Sequence, residues 1–134
     1  MVTGKGKILV MDDEEIIRNV AAKMLNHVGY EVVLAEDGNR AIELYSQAVQ
    51  AGQPFDAVIL DLTVRSGLGG KETLARLREI HPELKAVVSS GYSNDPVMSE
   101  FEKYGFAGVI AKPYKVRELG ETIGRIVGKE KTGA

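Results

Sequence analysis

Carboxylates gather where apolar runs stop. Asp12-Asp13-Glu14-Glu15 follows the run Ile8-Leu9-Val10-Met11, and Asp61 follows Ala57-Val58-Ile59-Leu60. Ser89-Ser90-Gly91 follows Ala86-Val87-Val88, and Lys112-Pro113 follows Gly108-Val109-Ile110-Ala111. Taken singly, each group has a plain structural use: an acidic pair caps a helix, an Asp or Ser makes a turn, and a lysine is solvated. Taken together they are complementary. Carboxylates about 4 Å apart repel by roughly 4 kcal/mol at an effective dielectric near 20, so three in one pocket require a cation. An all-oxygen donor set with room for water suits Mg²⁺. Lysine adds a permanent positive charge, and a serine hydroxyl can donate to a phosphoryl oxygen. A phosphoryl group, carrying about −1.5 to −2 charges and strong acceptor oxygens, matches that chemistry.

These residues meet only if the elements bearing them are neighbours. The apolar runs, with Val32-Val33-Leu34-Ala35 as a further one, are rich in Val and Ile and too short for buried helices, so they read as strands. Their unbroken apolar character fits burial on both faces, as in a parallel sheet covered by helices. Helical stripes alternate with them: Ile17, Val20, Ala21, Met24 and Val28 closed by Gly29; Ala41, Leu44, Tyr45 and Ala48 between Asp37 as N-cap and Gly52; Leu74, Leu77 and Ile80 closed by Pro82. Asp95-Pro96 opens a helix through Val97, Phe101 and Tyr104, and Leu119, Ile123, Ile126 and Val127 make the last stripe. Strand–helix units in this order predict an α/β, doubly wound five-stranded parallel sheet with five helices. Ligands bind such sheets beyond the carboxyl ends of the strands. In a flavodoxin-like strand order, 2-1-3-4-5, the first and third strands adjoin, and Asp12, Asp13 and Asp61 come together with Ser90 and Lys112 flanking them.

Composition narrows the function classes. The 134 residues suit one domain, at 5–128, with tails at 1–4 and 129–134. With no Cys, a disulfide framework and thiolate metal sites are excluded. A net charge of −2 offers no basic field for nucleic acid. The apolar stretches are strand-length, so no membrane contact is expected, and a cytoplasmic location is the default. His27, at a helix end, and His81, before Pro82, read as surface residues. Gly67-Leu68-Gly69-Gly70-Lys71 fails as a phosphate loop, because Arg65 and Glu72 stand where a Gly and a Ser or Thr are needed; it reads as a turn into the third helix.

The constellation resembles the receiver domain of two-component response regulators, possibly the receiver of a hybrid sensor histidine kinase. The matching stretches are Ile8 to Glu15, Val58 to Thr63, Val87 to Tyr92 and Gly108 to Tyr114, all four in order. The resemblance implies phosphorelay signalling, with Asp61 taking a phosphoryl group from a phosphohistidine on a sensor histidine kinase or histidine phosphotransfer domain. It implies that Asp13, Asp61 and the main-chain carbonyl of Thr63 ligate Mg²⁺, with Asp12 acting mainly through bound water. Ser90 aligns with the hydroxyl switch residue, leaving Ser89 on the opposite sheet face. Lys112 would bind a phosphoryl oxygen beside a cis Lys112–Pro113 bond, and Thr63 and Tyr92 would tune the lifetime of the acyl phosphate. The protein would be a switchable module, favoured as a monomer, and not a metabolic enzyme.

Arg65 replaces the Pro usual in the loop after the phosphoacceptor, Val109 replaces the switch aromatic three residues before the lysine, and no output domain is expected beyond residue 128. Three other functions fit these residues less well. An aspartyl-phosphate phosphohydrolase needs a second Asp where Thr63 stands. An FMN carrier needs a phosphate loop where the chain has four acids. A pseudo-receiver would lack one of the key residues, and none is missing.

Overall fold

The first strand, β1 (Lys7–Met11), leads into α1 (Glu15–His27), and the alternation continues through β2 (Glu31–Ala35), α2 (Gly38–Gln50), β3 (Ala57–Asp61), α3 (Gly70–Ile80), β4 (Ala86–Ser90), α4 (Pro96–Ser99), β5 (Gly108–Ala111) and α5 (Val116–Thr132). This architecture comes from a computed structural model, which describes residues 6–64, 67–91 and 95–132, with side chains through 128. The strands are all parallel, in the order β2-β1-β3-β4-β5. No helix among the described residues is long and apolar enough to cross a membrane.

Alternate residues of each strand feed two cores, as the two-residue period requires. Leu9, Met11, Val58, Leu60 and Val88 face a layer built with α2 and α3, which includes Tyr45, Leu74 and Leu77. Ile8, Val10, Ile59, Val87 and Ile110 face α1 and α5, meeting Leu25, Leu119 and Ile123. Every residue of β3 and β4 is buried. β3 and β4 are therefore apolar until they reach the carboxyl edge, where Asp61, Ser89 and Ser90 stand.

Local signals end the helices as the residue types dictate. Asp37 caps α2, its Oδ1 accepting the Arg40 N–H at 2.9 Å. After α1 the chain turns at Gly29, with φ 107°, and the Tyr30 N–H donates to the Leu25 carbonyl. At the start of α3, a Cβ on Gly70 would lie 2.8 Å from the Asp61 carbonyl oxygen, so only glycine lets this helix seat directly on the end of β3.

Three expectations change. The fourth helix is not continuous to Tyr104: α4 has four residues, Glu100 leaves the helical region at φ −120°, ψ 39°, and a separate 3₁₀ turn covers Phe101–Tyr104 before Gly105 at φ 91°. Spacing of 97, 101 and 104 does not require one helix, and a segment this short gains too few hydrogen bonds to hold α geometry against its packing. His81 is not a free surface residue, because its Nδ1 lies 2.7 Å from the hydroxyl of fully buried Tyr45, which needs a partner. The last helix runs to Thr132, into the segment 129–134 assigned to a tail, since propagation adds a backbone bond per residue once a helix exists. The other tail, 1–4, lies outside the described residues.

Candidate functional site

Adjacent pairing of β1 and β3, with Met11 opposite Leu60, puts the residues that follow side by side. Asp12 is fully buried, Asp61 is 2% exposed, and Asp13 is half-buried. One carboxylate oxygen from each falls within 4.8 Å of the others. The acidic pair does not cap α1 in the ordinary way. Glu14 holds the N-cap position with no side-chain bond, while Asp12 Oδ1 accepts the Glu14 N–H at 2.9 Å. Lys112, arriving from β5, places Nζ 2.6 Å from Asp12 Oδ2 and 3.1 Å from Asp61 Oδ1. Asp61 Oδ1 also takes a long bond, 3.4 Å, from the Thr63 N–H. Asp61 Oδ2 is buried and accepts no hydrogen bond.

The electrostatics follow from that imbalance. Burial, and then the Asp12 charge, push the Asp61 carboxyl up from its ordinary 3.8 to about 6, against the opposing pull of Lys112 and the Thr63 N–H. Burial works to lower the Lys112 pKa, but hydrogen bonds and charge from Asp12 and Asp61 outweigh it, so the net shift is upward and the ammonium stays charged. One cation thus serves two buried carboxylates.

A cleft of about 340 Å³ opens above Asp61, lined by Asp13, Glu14, Thr63, Ser90 and Lys112. Ser90 is in the cleft wall. Ser89, one residue earlier, points to the α1–α5 side, where its Oγ lies 2.7 Å from the Tyr114 hydroxyl. The Lys112–Pro113 peptide is cis. Val109 is half-buried against the α2–α3 core. Arg65 and Tyr92 lie outside the described residues, so their sequence-based roles have no structural counterpart here.

Some contributors had no clear sequence signal. Glu14 lines the cleft because its backbone wraps over Asp12. Arg18 Nη1 donates to the Asp12 main-chain oxygen at 2.8 Å, tying the acidic loop to α1; a basic residue six positions after the acid, on the first turn of a helix, could have suggested it. The Tyr114 phenol is pushed up to about 12, mainly by burial, and therefore stays protonated at neutral pH. Its pairing with Ser89 depends on β4 and the β5–α5 loop meeting in space, which spacing alone does not reveal.

The donor set fits a hard divalent cation. Three carboxylates converge on one point, one buried oxygen lacks a partner, and a water-accessible cleft lies alongside. Asp12, Asp13 and Asp61 would hold such an ion.

Known proteins match this arrangement. The family model described as the response regulator receiver domain matches residues 8–124. Sporulation initiation phosphotransferase F of Bacillus subtilis is 26% identical over 117 residues, covering 87% of this chain and 90% of that protein. Sensor kinase CckA of Brucella abortus is 27% identical over 129 residues, which is 96% of this chain but only 13% of the kinase's length. The receiver domain of the sensor histidine kinase PA1611 of Pseudomonas aeruginosa, solved with magnesium in its active-site cleft, superposes with a TM-score of 0.80 at 23% identity, covering 93% of this chain and 99% of that one. With the strand order, the acidic edge and the matched span in agreement, the chain belongs to the receiver domain family of two-component response regulators.

Proposed function

We propose that Asp61 accepts a phosphoryl group from a phosphohistidine of a sensor histidine kinase or histidine phosphotransfer domain, and that the resulting aspartyl phosphate switches partner binding. The observation that carries this reading is Asp61 Oδ2, a buried carboxylate oxygen with no hydrogen-bond partner, on a residue that lines an open cleft. An oxygen so placed is desolvated and available to attack phosphorus as the bond to the histidine nitrogen breaks and the imidazole leaves. Lys112 already touches Asp61 and can follow charge onto the transferring oxygens. Ser90, in the cleft wall, supplies a hydroxyl for a phosphoryl oxygen. Asp12, Asp13, Asp61 and the Thr63 carbonyl would hold Mg²⁺, which would supply positive charge beside the transferring group.

The names of two relatives, a sensor kinase and a phosphotransferase, support a place in a phosphorelay, and the magnesium of the PA1611 receiver supports the choice of metal. The chain acts on itself alone, so it is a switchable module in the cytoplasm and not a metabolic enzyme. Incubation with Mg²⁺ and acetyl phosphate tests the reading. Intact mass should rise by one phosphoryl group, as a base-labile adduct absent from Asp61→Ala. An unmodified wild type, or equal modification of the variant, overturns it.

A further inference from the structure

The α1–α5 core holds two polar side chains that the phosphoacceptor chemistry does not use. Ser89 is fully buried and Tyr114 is 7% exposed, and their hydroxyls lie 2.7 Å apart among Ile8, Val10, Ile59 and Val87. Stability alone does not explain such a pair. A buried hydrogen bond contributes only about 0.5–1.5 kcal/mol net, and replacing both partners by apolar groups of the same shape is often neutral. Phenylalanine and alanine would fill the same space with no polar atom to satisfy.

What the pair does provide is a fixed position. Lys112 lies between two attachments to consecutive residues of β4. Its own N–H donates to the Ser90 carbonyl at 3.0 Å, and two residues later the Tyr114 hydroxyl meets Ser89 Oγ. Ser89 is in turn register-paired with Asp61, and its carbonyl accepts the Leu62 N–H at 2.8 Å. The root of the lysine and the backbone of the nucleophile are thereby both held to the end of β4, through Ser89 and Ser90 for the lysine and through Ser89 for the nucleophile. A lysine side chain has four flexible bonds and about 2 kcal/mol of rotamer entropy, so anchoring its root narrows where Nζ can go.

We infer that the Ser89–Tyr114 hydrogen bond is a positioning pair, which clamps the β5–α5 loop to β4 so that Lys112 Nζ stays over Asp12 and Asp61. This rests on the phosphoacceptor reading for its catalytic consequence, but not for its structural one. Only Lys112 touches the reacting group; Ser89 and Tyr114 act through it.

The test uses the full chain as wild type, Tyr114→Phe and the double variant S89A/Y114F, which leaves no unpaired hydroxyl. Phosphorylation by acetyl phosphate with Mg²⁺ is followed by intact mass over a range of donor concentrations. In metal-free protein, the Lys112 ε-ammonium is observed by ¹⁵N NMR, assigned by its loss in Lys112→Ala. Both variants should keep the wild-type far-UV circular dichroism. The limiting rate should fall by about tenfold, the scale of a modest misplacement of a reacting group, with the half-saturating donor concentration nearly unchanged. The Lys112 signal should shift or broaden through exchange with water. An unchanged limiting rate overturns the inference, and so does a slower rate with the Lys112 signal unmoved, which would make the pair a packing feature. Failure of the phosphoacceptor reading is a separate result, seen in wild type as no adduct at all.

Discussion

The two ends of the sheet treat polar groups in opposite ways. At the amino edge, Lys7, Tyr45 and Lys85 each give a polar group a partner of matching kind. The Lys7 N–H donates to Asp56 Oδ2 at 2.8 Å, the Tyr45 hydroxyl meets His81 Nδ1, and Lys85 Nζ donates to the Ile126 carbonyl at 3.1 Å. The Lys7 ammonium also lies 4.9 Å from the centre of the Phe55 ring. At the carboxyl edge, Asp12 and Asp61 share one lysine, and an oxygen of Asp61 has nothing to accept from. β3 and β4 are buried from end to end, so along them the contrast comes from the edge residues. Balanced pairs hold the fold. An unbalanced set stores unfavourable charge that a cation or a phosphoryl group can relieve.

Removing the lysine should deepen the imbalance most. Lys112→Met is expected to slow phosphorylation by about 100-fold or more and to cost metal-free protein about 3 kcal/mol, because it leaves buried carboxylates uncompensated. Phosphorylation kinetics and urea unfolding check both; wild-type values for each would make the edge no different from its opposite.

Supplying the missing charge should have the reverse effect. Mg²⁺ at about 100 times its dissociation constant is expected to stabilise wild type by about 2.7 kcal/mol. Asp13→Asn should lose most of that gain at the same concentration, as read by thermal unfolding.

Removing the excess charge should also stabilise. The folded protein holds the Asp61 proton more tightly than the unfolded chain, with a pKa of about 6 against 3.8. That contribution is full below about pH 4 and is lost as pH rises through 6. Metal-free Asp61→Asn should therefore exceed wild type by roughly 2–3 kcal/mol at pH 7, at about 1.4 kcal/mol per pKa unit, and the advantage should vanish near pH 4. Urea titrations at the two pH values measure it, and equal stability at pH 7 would contradict the imbalance.

The smallest effect belongs to the balanced end. Tyr45→Phe should cost about 1 kcal/mol and leave the phosphorylation rate as in wild type. A change in that rate would show that the two ends are coupled through the sheet.

Most of this was legible in the residues. Strand-length apolar runs, each followed by a polar group, dictate a parallel sheet with its chemistry at one edge, since only full burial of strands tolerates such runs. Asp12, Asp13, Asp61, Ser90 and Lys112 could be named because each falls at a strand end, where chain order and side-chain alternation constrain position. The opposite facing of Ser89 and Ser90 was legible for the same reason, as adjacent strand residues point to opposite sides. The break after α4 was not, because helical spacing is satisfied equally by one helix or by two short pieces.

The sequence by itself determined which chemical groups reach the carboxyl edge, through local periodicity. Only the tertiary structure decided how charge is shared there. It set Lys112 between two acids, left Asp61 Oδ2 alone, and joined Ser89 to Tyr114 behind the site. Those relations depend on distances between segments far apart in the chain, and packing, not spacing, sets them.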